Sequence, residues 1–237
     1  MLIYLVRHGI PNYLTDSLTP DGRLQAEAVG KRLAKAGLDE IYSSPLGRAR
    51  QTAEPTARAL GLKINIEKWM SESIASRHFG GIDENGKSVT WAFWQNEKLI
   101  GKNESYEDRD SFSHGYYKND ALAREGAKEL SAASDEFLCR LGFRRTGIGN
   151  GYETLVKNSK KIGIFAHQGF GLHWLSYLTN IPYHIFTATF DISHTGVSII
   201  QFDEKKTITY PKVLTLSDLS HIYEEGLPHK YHNSIDI

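Results

Sequence analysis

The first residues able to do chemistry are Arg7, His8 and Gly9, which directly follow the apolar run "LIYLV". A neutral imidazole is a good nucleophile toward phosphorus near neutral pH, because its reference pKa is about 6.5. Arginine carries a permanent charge on a rigid fork that matches phosphate oxygens. Glycine lets the backbone turn sharply and brings amide groups near a ligand. The triplet therefore predicts a phosphoryl-transfer site.

Such a site needs more cations, a donor for the phosphate oxygens and a proton donor for the leaving oxygen. Arg48 lies in the first turn of a predicted helix, where the helix N-terminus also favours anions. Arg50 is a rival, but the two differ by roughly 200° around a helix, so only one can face the pocket. His167 and Gln168 end a later strand, and Glu72 begins an irregular stretch.

Strand and helix patterns alternate along the chain, which predicts the elements that must position these residues. The apolar run "LIYLV" and the segment "KKIGIF" are typical of buried strands, and "DEIYSS" and "KINIE" are interpreted as two further short strands. Helical spacing marks the stretches between them and the later segments "ALAREGAKELSAASDEFLCRLGF" and "FGLHWLSYLT". The runs "GVSIIQF" and "TITYPKVLTL", joined by the polar turn "DEKK", predict a closing hairpin.

Residues typical of helix caps predict where the first two helices begin and where the first one ends. Thr19 suits the N-cap of the first helix and Gly37 its C-terminal stop. Ser44 suits the N-cap of the second helix, with Pro45 in its first turn. Pro55, inside the second helix, is expected to kink it.

The predicted fold class is α/β, with a three-layer α/β/α arrangement around a mostly parallel sheet and helices on both faces. In such sheets, ligands bind beyond the carboxyl ends of the strands, where His8 and His167 lie. We expect one domain over residues 1–237. The stretch 73–120 loses its periodicity and is rich in aromatic residues, glycine, serine and charges. It predicts an irregular cap insertion.

The amino-acid composition limits the classes of function that the chain can have. The 28 basic and 28 acidic residues balance, which gives no support for a nucleic-acid partner. The single cysteine excludes a disulfide framework and a thiolate-rich metal site. No apolar stretch approaches the roughly 18 residues of a membrane helix, and the first apolar run is too short for a signal peptide. We expect a cytoplasmic protein with no membrane partner; its oligomeric state is left open.

Three sequence blocks resemble the histidine phosphatase superfamily, which also contains the phosphoglycerate mutases. They are "LVRHGIPNYLTDSLTPDGRLQAEAVGKRL", "IYSSPLGRARQTAEPTARAL" and "IGIFAHQGFGLHWL". The tail from "ISHTGVSIIQF" to "LSDLSHI" resembles the phosphatase branch of the family. Arg-His-Gly alone is a weak signal, but its position after an N-terminal strand, with the other blocks in order, makes the resemblance strong.

The resemblance implies a role for each candidate. His8 would be the nucleophile that becomes phosphorylated, and Glu72 the general acid and then the base for water. The phosphate pocket would comprise Arg7, Arg48, His167 and Gln168. The substrate would be a small phosphorylated metabolite. No cofactor and no metal would be needed, because the arginines supply the positive charge.

The chain departs from the family pattern just after Gly9. Ile10 replaces the usual acidic residue, and Leu14 stands where an asparagine is usual, while Asn12 is out of register. One phosphate contact is therefore in question. The long block that mutases carry before the first helix is absent, which favours hydrolysis. A mutase-like phosphotransferase and a non-catalytic phospholigand-binding module remain the alternatives.

The predicted insertion offers further residues with two interpretations each. Arg77, His78 and His114 are either substrate contacts or surface residues. The aromatic residues form either an apolar substrate wall or a small core, and the small core is favoured; they are Trp91, Phe93, Trp94, Tyr116 and Tyr117. His194, before the predicted hairpin, is not selected. The substrate's identity is not predicted.

Overall fold

The computed structural model describes residues 1–83, 85–95, 109–112, 117–229 and 231. Within these residues the helices are α1 (Pro20–Ala36), α2 (Gly47–Leu60), α3 (Glu72–His78), α4 (Asp120–Arg140), α5 (Gln168–Thr179), α6 (Tyr183–Thr189) and α7 (Ser220–Glu224), with 3-10 turns at Lys68–Met70 and Ala92–Gln95. The strands are β1 (Leu2–Arg7), β2 (Pro11–Asn12), β3 (Ser17–Leu18), β4 (Glu40–Ser43), β5 (Ile64–Ile66), β6 (Gly81–Ile82), β7 (Ser88–Val89), β8 (Phe143–Arg145), β9 (Tyr152–Thr154), β10 (Lys161–Ala166), β11 (Val197–Gln201), β12 (Ile208–Thr209) and β13 (Lys212–Asp218).

A six-stranded sheet in the order β13-β11-β1-β10-β4-β5 forms the centre of the fold. The four strands from β1 to β5 in this order run parallel to one another. Strand β11 runs antiparallel to β1, and β13 antiparallel to β11. The α/β class and the mostly parallel sheet are therefore confirmed.

Alternate side chains of β1 enter two separate hydrophobic clusters on opposite faces of the sheet. Ile3 and Leu5 pack in the cluster that also contains buried residues of α3, α4 and α5. Tyr4 and Val6 pack in the other cluster, with buried residues of α1 and α2. This period-two alternation is what a strand covered on both faces requires. The predicted helices on both faces, and thus the three layers, are confirmed.

The predicted ends of the first helix are confirmed by its caps. The Thr19 hydroxyl accepts a hydrogen bond from the amide of Gly22 at 3.1 Å. Gly37 terminates the helix in the left-handed conformation, with φ of 70°. The amide of Gly37 donates to the carbonyls of Leu33 and Ala34, which satisfies two carbonyls of the last turn.

The predicted start of the second helix is wrong. Helix α2 begins at Gly47 after Leu46, without a side-chain cap, so Ser44 is not its N-cap and Pro45 precedes it. The reason lies in the sheet. The amide of Ser44 donates to the carbonyl of Phe165 at 2.9 Å, which extends the strand pairing by one residue. Pro55 lies inside the helix.

Two predictions later in the chain are only partly right. Strands β11 and β13 pair as the expected hairpin, but β12, inside "TITYPKVLTL", leaves it to pair with β9 in a separate three-stranded sheet with β8. The stretch from residue 72, predicted to be irregular, begins with the helix α3. Seven residues are too few to produce a clear helical period.

None of the helices in the described part of the chain combines the length and the apolar character that a bilayer crossing requires.

The first turn of α1 packs directly on the loop that follows His8. A Cβ atom on Gly22 would lie 2.2 Å from the carbonyl oxygen of Ile10, and one on Gly9 would lie 2.6 Å from the carbonyl oxygen of Gly22. Both neighbours are backbone atoms, which cannot yield as a flexible side chain can. Glycine at both positions therefore permits this close approach.

Gly22→Ala should destabilise the protein although alanine is the better helix former. The added methyl group overlaps the Ile10 carbonyl, and such overpacking costs about 1–3 kcal/mol, more than the roughly 1 kcal/mol gained in helix propensity. Urea denaturation measures the loss, with the exposed neighbour Arg23→Ala as control. Equal stability of Gly22→Ala and the wild type would contradict the tight packing.

Candidate active site

Parallel pairing of β1 with β10 brings the two histidines together. Arg7 is opposite Ala166 in the register, so His8 and His167 both follow the last paired residues. The amide of His8 donates to the carbonyl of Ala166 at 2.9 Å, which continues the pairing. The centroids of the two imidazole rings are 5.1 Å apart. The site therefore lies at the carboxyl ends of the parallel strands, where α/β sheets bind ligands.

The hydrogen bonding of His8 defines its tautomer. Its Nδ1 lies 2.8 Å from the carbonyl oxygen of Gly9. A carbonyl only accepts, so Nδ1 carries the proton, and Nε2 of the neutral ring keeps its lone pair. The amide of Gly9 donates to the hydroxyl of Thr52 at 3.0 Å, which fixes this turn against α2.

The surroundings of His8 keep its imidazole neutral. The side chain is buried, and burial is the largest cause that holds the pKa of His8 well below 6.5. The nearby His167, Arg7 and Arg48 lower this pKa further by charge repulsion. A neutral imidazole with a lone pair on Nε2 is the nucleophilic form of the residue.

Arg48 is held between two carboxylates. One carboxylate oxygen of Asp16 accepts a hydrogen bond from Nη1 at 2.6 Å, and Oε2 of Glu72 accepts one from Nη2 at 3.0 Å. The guanidinium is buried, and its Nε has no hydrogen-bond partner among the described residues. A buried donor of this kind requires an explanation, and a bound anion provides one.

Glu72, the first residue of α3, is fixed by two donors. Its Oε1 accepts a hydrogen bond from the amide of Gly169 at 3.0 Å, in the first turn of α5, and its Oε2 accepts from Arg48. The indole of Trp91 lies over the same glycine, because a Cβ atom on Gly169 would be 2.3 Å from the ring. The carboxylate is therefore oriented by backbone and packing.

His167 directs one donor into the site. Its Nε2 lies 2.7 Å from the hydroxyl of Ser44, which also accepts a hydrogen bond from the amide of Leu46 at 3.3 Å. The serine hydrogen has no other acceptor among the described residues, so the hydroxyl donates to Nε2, and Nδ1 carries the imidazole proton. Nδ1 is buried without a hydrogen-bond partner among the described residues, 3.5 Å from Glu72 Oε2.

Burial and two cations keep His167 neutral. Burial is the largest cause that lowers the pKa of His167 well below 6.5, and the charges of Arg48 and Arg7 lower it further. The neutral ring presents a single donor, Nδ1–H, on the side of Glu72.

Arg7 is buried and held by two groups from the segment before β11. Its Nη1 donates to the carbonyl of Ile192 at 2.8 Å, and its Nη2 donates to Nε2 of His194 at 3.1 Å. The ring centroid of His194 is 5.6 Å from that of His8. The structure therefore adds His194, which was not selected from the sequence, to the surroundings of His8.

A cavity of about 410 Å³ opens next to these groups. Its wall contains Arg7, Tyr13, Arg48, Glu72, Ser73, Ser76, Thr90, Trp91 and Gln168. The predicted Gln168 thus reaches the cavity, where its amide nitrogen donates to Asp191 at 2.5 Å. This volume suits a small ligand.

Other predicted residues lie elsewhere. Arg50 is exposed. Arg77 is exposed and does not line the cavity. His78 is buried near Glu129, in the wall of a different cavity beside Gly126. His114 lies outside the described residues, as does Tyr116.

The aromatic residues of the predicted insertion have mixed placements. Trp91 lines the cavity and also stacks on Phe93, with centroids 5.4 Å apart. Tyr117 is buried beside Phe112. The side chain of Trp94 lies outside the described part of the chain. The two interpretations therefore both apply, since Trp91 belongs to the cavity wall and to a packed cluster.

A metal ion is a second possible occupant by distance alone. Ligand atoms of His8, Glu72 and His167 lie within 4.8 Å of one another. Two arginine guanidinium groups, however, border the same space, and their fixed charges oppose a cation. The arrangement suits an anion better.

Several residues of the site were not selected from the sequence. Ser44 follows β4 and could have been found by the rule that strand ends carry ligand-binding residues. Tyr13 and Asp16 lie in a turn, and nothing in their spacing indicates that they reach Arg48. His194 is adjacent to the site only because β11 pairs with β1.

Comparison with known proteins finds a family model that matches the first part of the chain. The model of the histidine phosphatase superfamily (branch 1) matches residues 3–111. A probable phosphoglycerate mutase GpmB of Citrobacter koseri is 39% identical over 112 residues, 42% of this chain and 50% of the relative. The chain thus matches about half the length of that curated relative.

Solved structures share the fold over most of the chain. A phosphoserine phosphatase from Entamoeba histolytica has a TM-score of 0.60 at 19% identity, covering 93% of this chain and 98% of that one. A mycobacterial glucosyl-3-phosphoglycerate phosphatase has a TM-score of 0.58 at 16% identity, covering 91% and 98%. At these identities the likeness concerns the fold.

Gly169→Ala should disturb the orientation of Glu72 without changing the contacts of His8. The added methyl group overlaps the Trp91 ring, so either the indole or the first turn of α5 must move, and the hydrogen bond to Glu72 is lost or lengthened. For hydrolysis of a phosphomonoester, the activity proposed below, we expect a loss of about tenfold or more in kcat/KM, of the order that follows loss of one bond to a charged group. Gly37→Asn, at the far end of α1, is the control. Full activity of Gly169→Ala would contradict this orientation of Glu72.

Proposed function

We propose that this chain is a member of the histidine phosphatase superfamily, whose model matches residues 3–111, and that it hydrolyses phosphomonoesters of small metabolites through a phosphohistidine at His8. One observation carries the proposal. The lone pair on Nε2 of a neutral, buried His8 lies next to buried donors of Arg48 and His167 that have no partner among the described residues. A phosphoryl group satisfies all three at once.

In the first step, Nε2 of His8 attacks phosphorus and the bond to the leaving oxygen breaks. Arg7, Arg48 and the Nδ1–H of His167 bind the phosphoryl oxygens and stabilise their charge, which is the largest contribution in reactions of this kind. Glu72, as the general acid, gives a proton to the leaving oxygen, which departs as the alcohol.

In the second step, water attacks the phosphohistidine. Glu72, now a carboxylate, takes the proton of the water, and the bond between phosphorus and Nε2 breaks. The carbonyl of Gly9 holds the Nδ1 proton throughout, so the ring returns as the same tautomer. The fixed charges of the arginines perform the role of a metal ion, which makes the proposed reaction metal-independent.

A phosphoglycerate mutase-like transferase is the second candidate, favoured by the name of the relative from Citrobacter koseri. A mutase must retain its phosphorylated intermediate and exclude water. The segment between Gly9 and Thr19 is short and forms only the two-stranded hairpin of β2 and β3. We therefore place hydrolysis first.

The test of the proposed function is phosphate release by the wild type and by His8→Ala. The wild type should hydrolyse p-nitrophenyl phosphate in the presence of a chelator, be inhibited by vanadate, and yield an acid-labile phosphoenzyme. His8→Ala should lose at least about a thousandfold in kcat and form no phosphoenzyme, as expected for a nucleophile. His229→Ala, a substitution near the end of the described residues, serves as control.

The same preparations distinguish the candidates. Isomerisation of monophosphoglycerate, primed by 2,3-bisphosphoglycerate and faster than phosphate release, would support the mutase. Phosphate binding without turnover or phosphoenzyme would leave a binding module. Wild-type activity in His8→Ala would rule out the phosphohistidine mechanism.

The acidic limb of the pH profile should lie well below pH 6.5. The reaction needs neutral His8, and its pKa in the folded protein is lowered by burial and by nearby His167 and Arg7. The active form therefore persists as the pH falls, until the pH reaches this lowered value. Since kcat/KM reports the free enzyme and the free substrate, the inflection due to His8 should lie below pH 6 and not between pH 6 and 7. Titration of the His8 ring between pH 6 and 7 in the free protein, followed by NMR, would contradict the assignment.

A further inference from the structure

The residues from Pro11 to Leu18 form a short hairpin over the site, named here the 11–18 hairpin. Its ends pair as β2 and β3, with Pro11 opposite Leu18. Next to its base, the amide of Thr19 donates to the carbonyl of Ile10 at 3.0 Å. The hairpin is thus attached to the loop after the nucleophile.

The tip of the hairpin is anchored on α2 by Asp16. One oxygen of its carboxylate accepts a hydrogen bond from the amide of Gly47, and the other accepts from Nη1 of Arg48, each at 2.6 Å. Asp16 adopts a left-handed backbone conformation, with φ of 48°. These bonds hold a turn that would otherwise be a free surface loop.

Tyr13 extends from this hairpin to both arginines. Its ring lies under the Arg48 guanidinium, with the guanidinium carbon 5.4 Å from the ring centroid. Burial lowers the pKa of the Arg7 guanidinium, and the phenol of Tyr13 is close enough to oppose this larger effect by raising that pKa. The same side chain lines the cavity together with Arg7, Arg48 and Glu72. Tyr13 therefore contributes to the wall of the pocket that the two arginines define.

The chemistry of the neighbouring groups determines what the tyrosine can offer. An arginine has donors and no acceptor, so toward Arg7 the phenol of Tyr13 can offer only its oxygen. The phenol hydrogen is then available to an acceptor on the cavity side. An anion held between Arg7 and Arg48 presents acceptor oxygens there, and a hydroxyl donating to a charged oxygen makes a short, strong hydrogen bond.

We propose that the hydroxyl of Tyr13 is a ligand of the substrate's phosphoryl group, delivered to it by the 11–18 hairpin. The proposal names a catalytic residue for the proposed hydrolysis and rests on that function for its kinetic part. Its binding part requires only that the pocket accepts phosphate. Asp16 acts through Arg48 and the hairpin, as a positioning residue.

The test compares Tyr13→Phe with the wild type for binding of inorganic phosphate and of orthovanadate by calorimetry. The phenyl ring keeps its place under Arg48 and loses only the hydroxyl. We expect affinity for both anions to fall about ten- to a hundredfold, as for the loss of one hydrogen bond to a charged group. In turnover of p-nitrophenyl phosphate, kcat/KM should fall by a similar factor.

Two further variants separate the hydroxyl from the ring and from the loop. Tyr13→Ala should bind phosphate no more tightly than Tyr13→Phe. Leu14→Ala changes a side chain that is 98% exposed on the same hairpin and should bind phosphate as the wild type does. Circular dichroism at the assay temperature verifies that all variants are folded.

Each result bears on the proposal. Wild-type affinity in Tyr13→Phe, or no measurable phosphate binding by the wild type, overturns it. Weakened binding by Tyr13→Phe in a protein that forms no phosphoenzyme supports the tyrosine contact while refuting the proposed hydrolysis. Weakened binding together with lowered kcat/KM supports both.

Discussion

Parallel pairing between β1 and β10 brings together the residues of the candidate site. The two strands place His8 and His167 side by side at one sheet edge, and β4, the next strand, supplies Ser44 to orient His167. Helices α2 and α5 begin at that same edge, so their first turns contribute Arg48 and the amide of Gly169. Each group is thus attached to a rigid element, which is how a site keeps its geometry without a bound ligand.

Burial then determines the protonation of the two histidines. Removing an imidazole from water disfavours its charged form, and two neighbouring guanidinium groups disfavour it further. Backbone and hydroxyl partners next select the tautomers, so that His8 presents a lone pair and His167 a proton. The site therefore contains one imidazole with an available lone pair and one that acts as a donor, made from the same kind of side chain. The difference between them comes from a carbonyl in one case and a serine in the other.

The sequence was informative where a local rule applies. Short apolar runs predicted the parallel strands, and the residues that end them, His8 and His167, are adjacent in the structure. Helical phase showed that only one of Arg48 and Arg50 could face the pocket. The family pattern selected Arg48, and its place nearer the helix N-terminus agreed. Local rules failed where partners are distant in the chain. Ser44 resembled a helix cap, but pairing with β10 keeps it extended. Strand β12 pairs with a distant strand instead of with its hairpin neighbour. The contacts of Tyr13 and Asp16 with Arg48 depend on how a hairpin packs on a helix.

The two carboxylates on Arg48 have a consequence for the end of the proposed cycle. Asp16 and Glu72 already satisfy part of the guanidinium, so an inorganic phosphate left in the pocket competes with groups that are permanently tethered beside it. Tethered competitors act at high effective concentration and hasten departure of the product. Fast dissociation of phosphate benefits a hydrolase, because each turnover must end with an empty pocket. It would impair a transferase, which must keep its phosphoryl group.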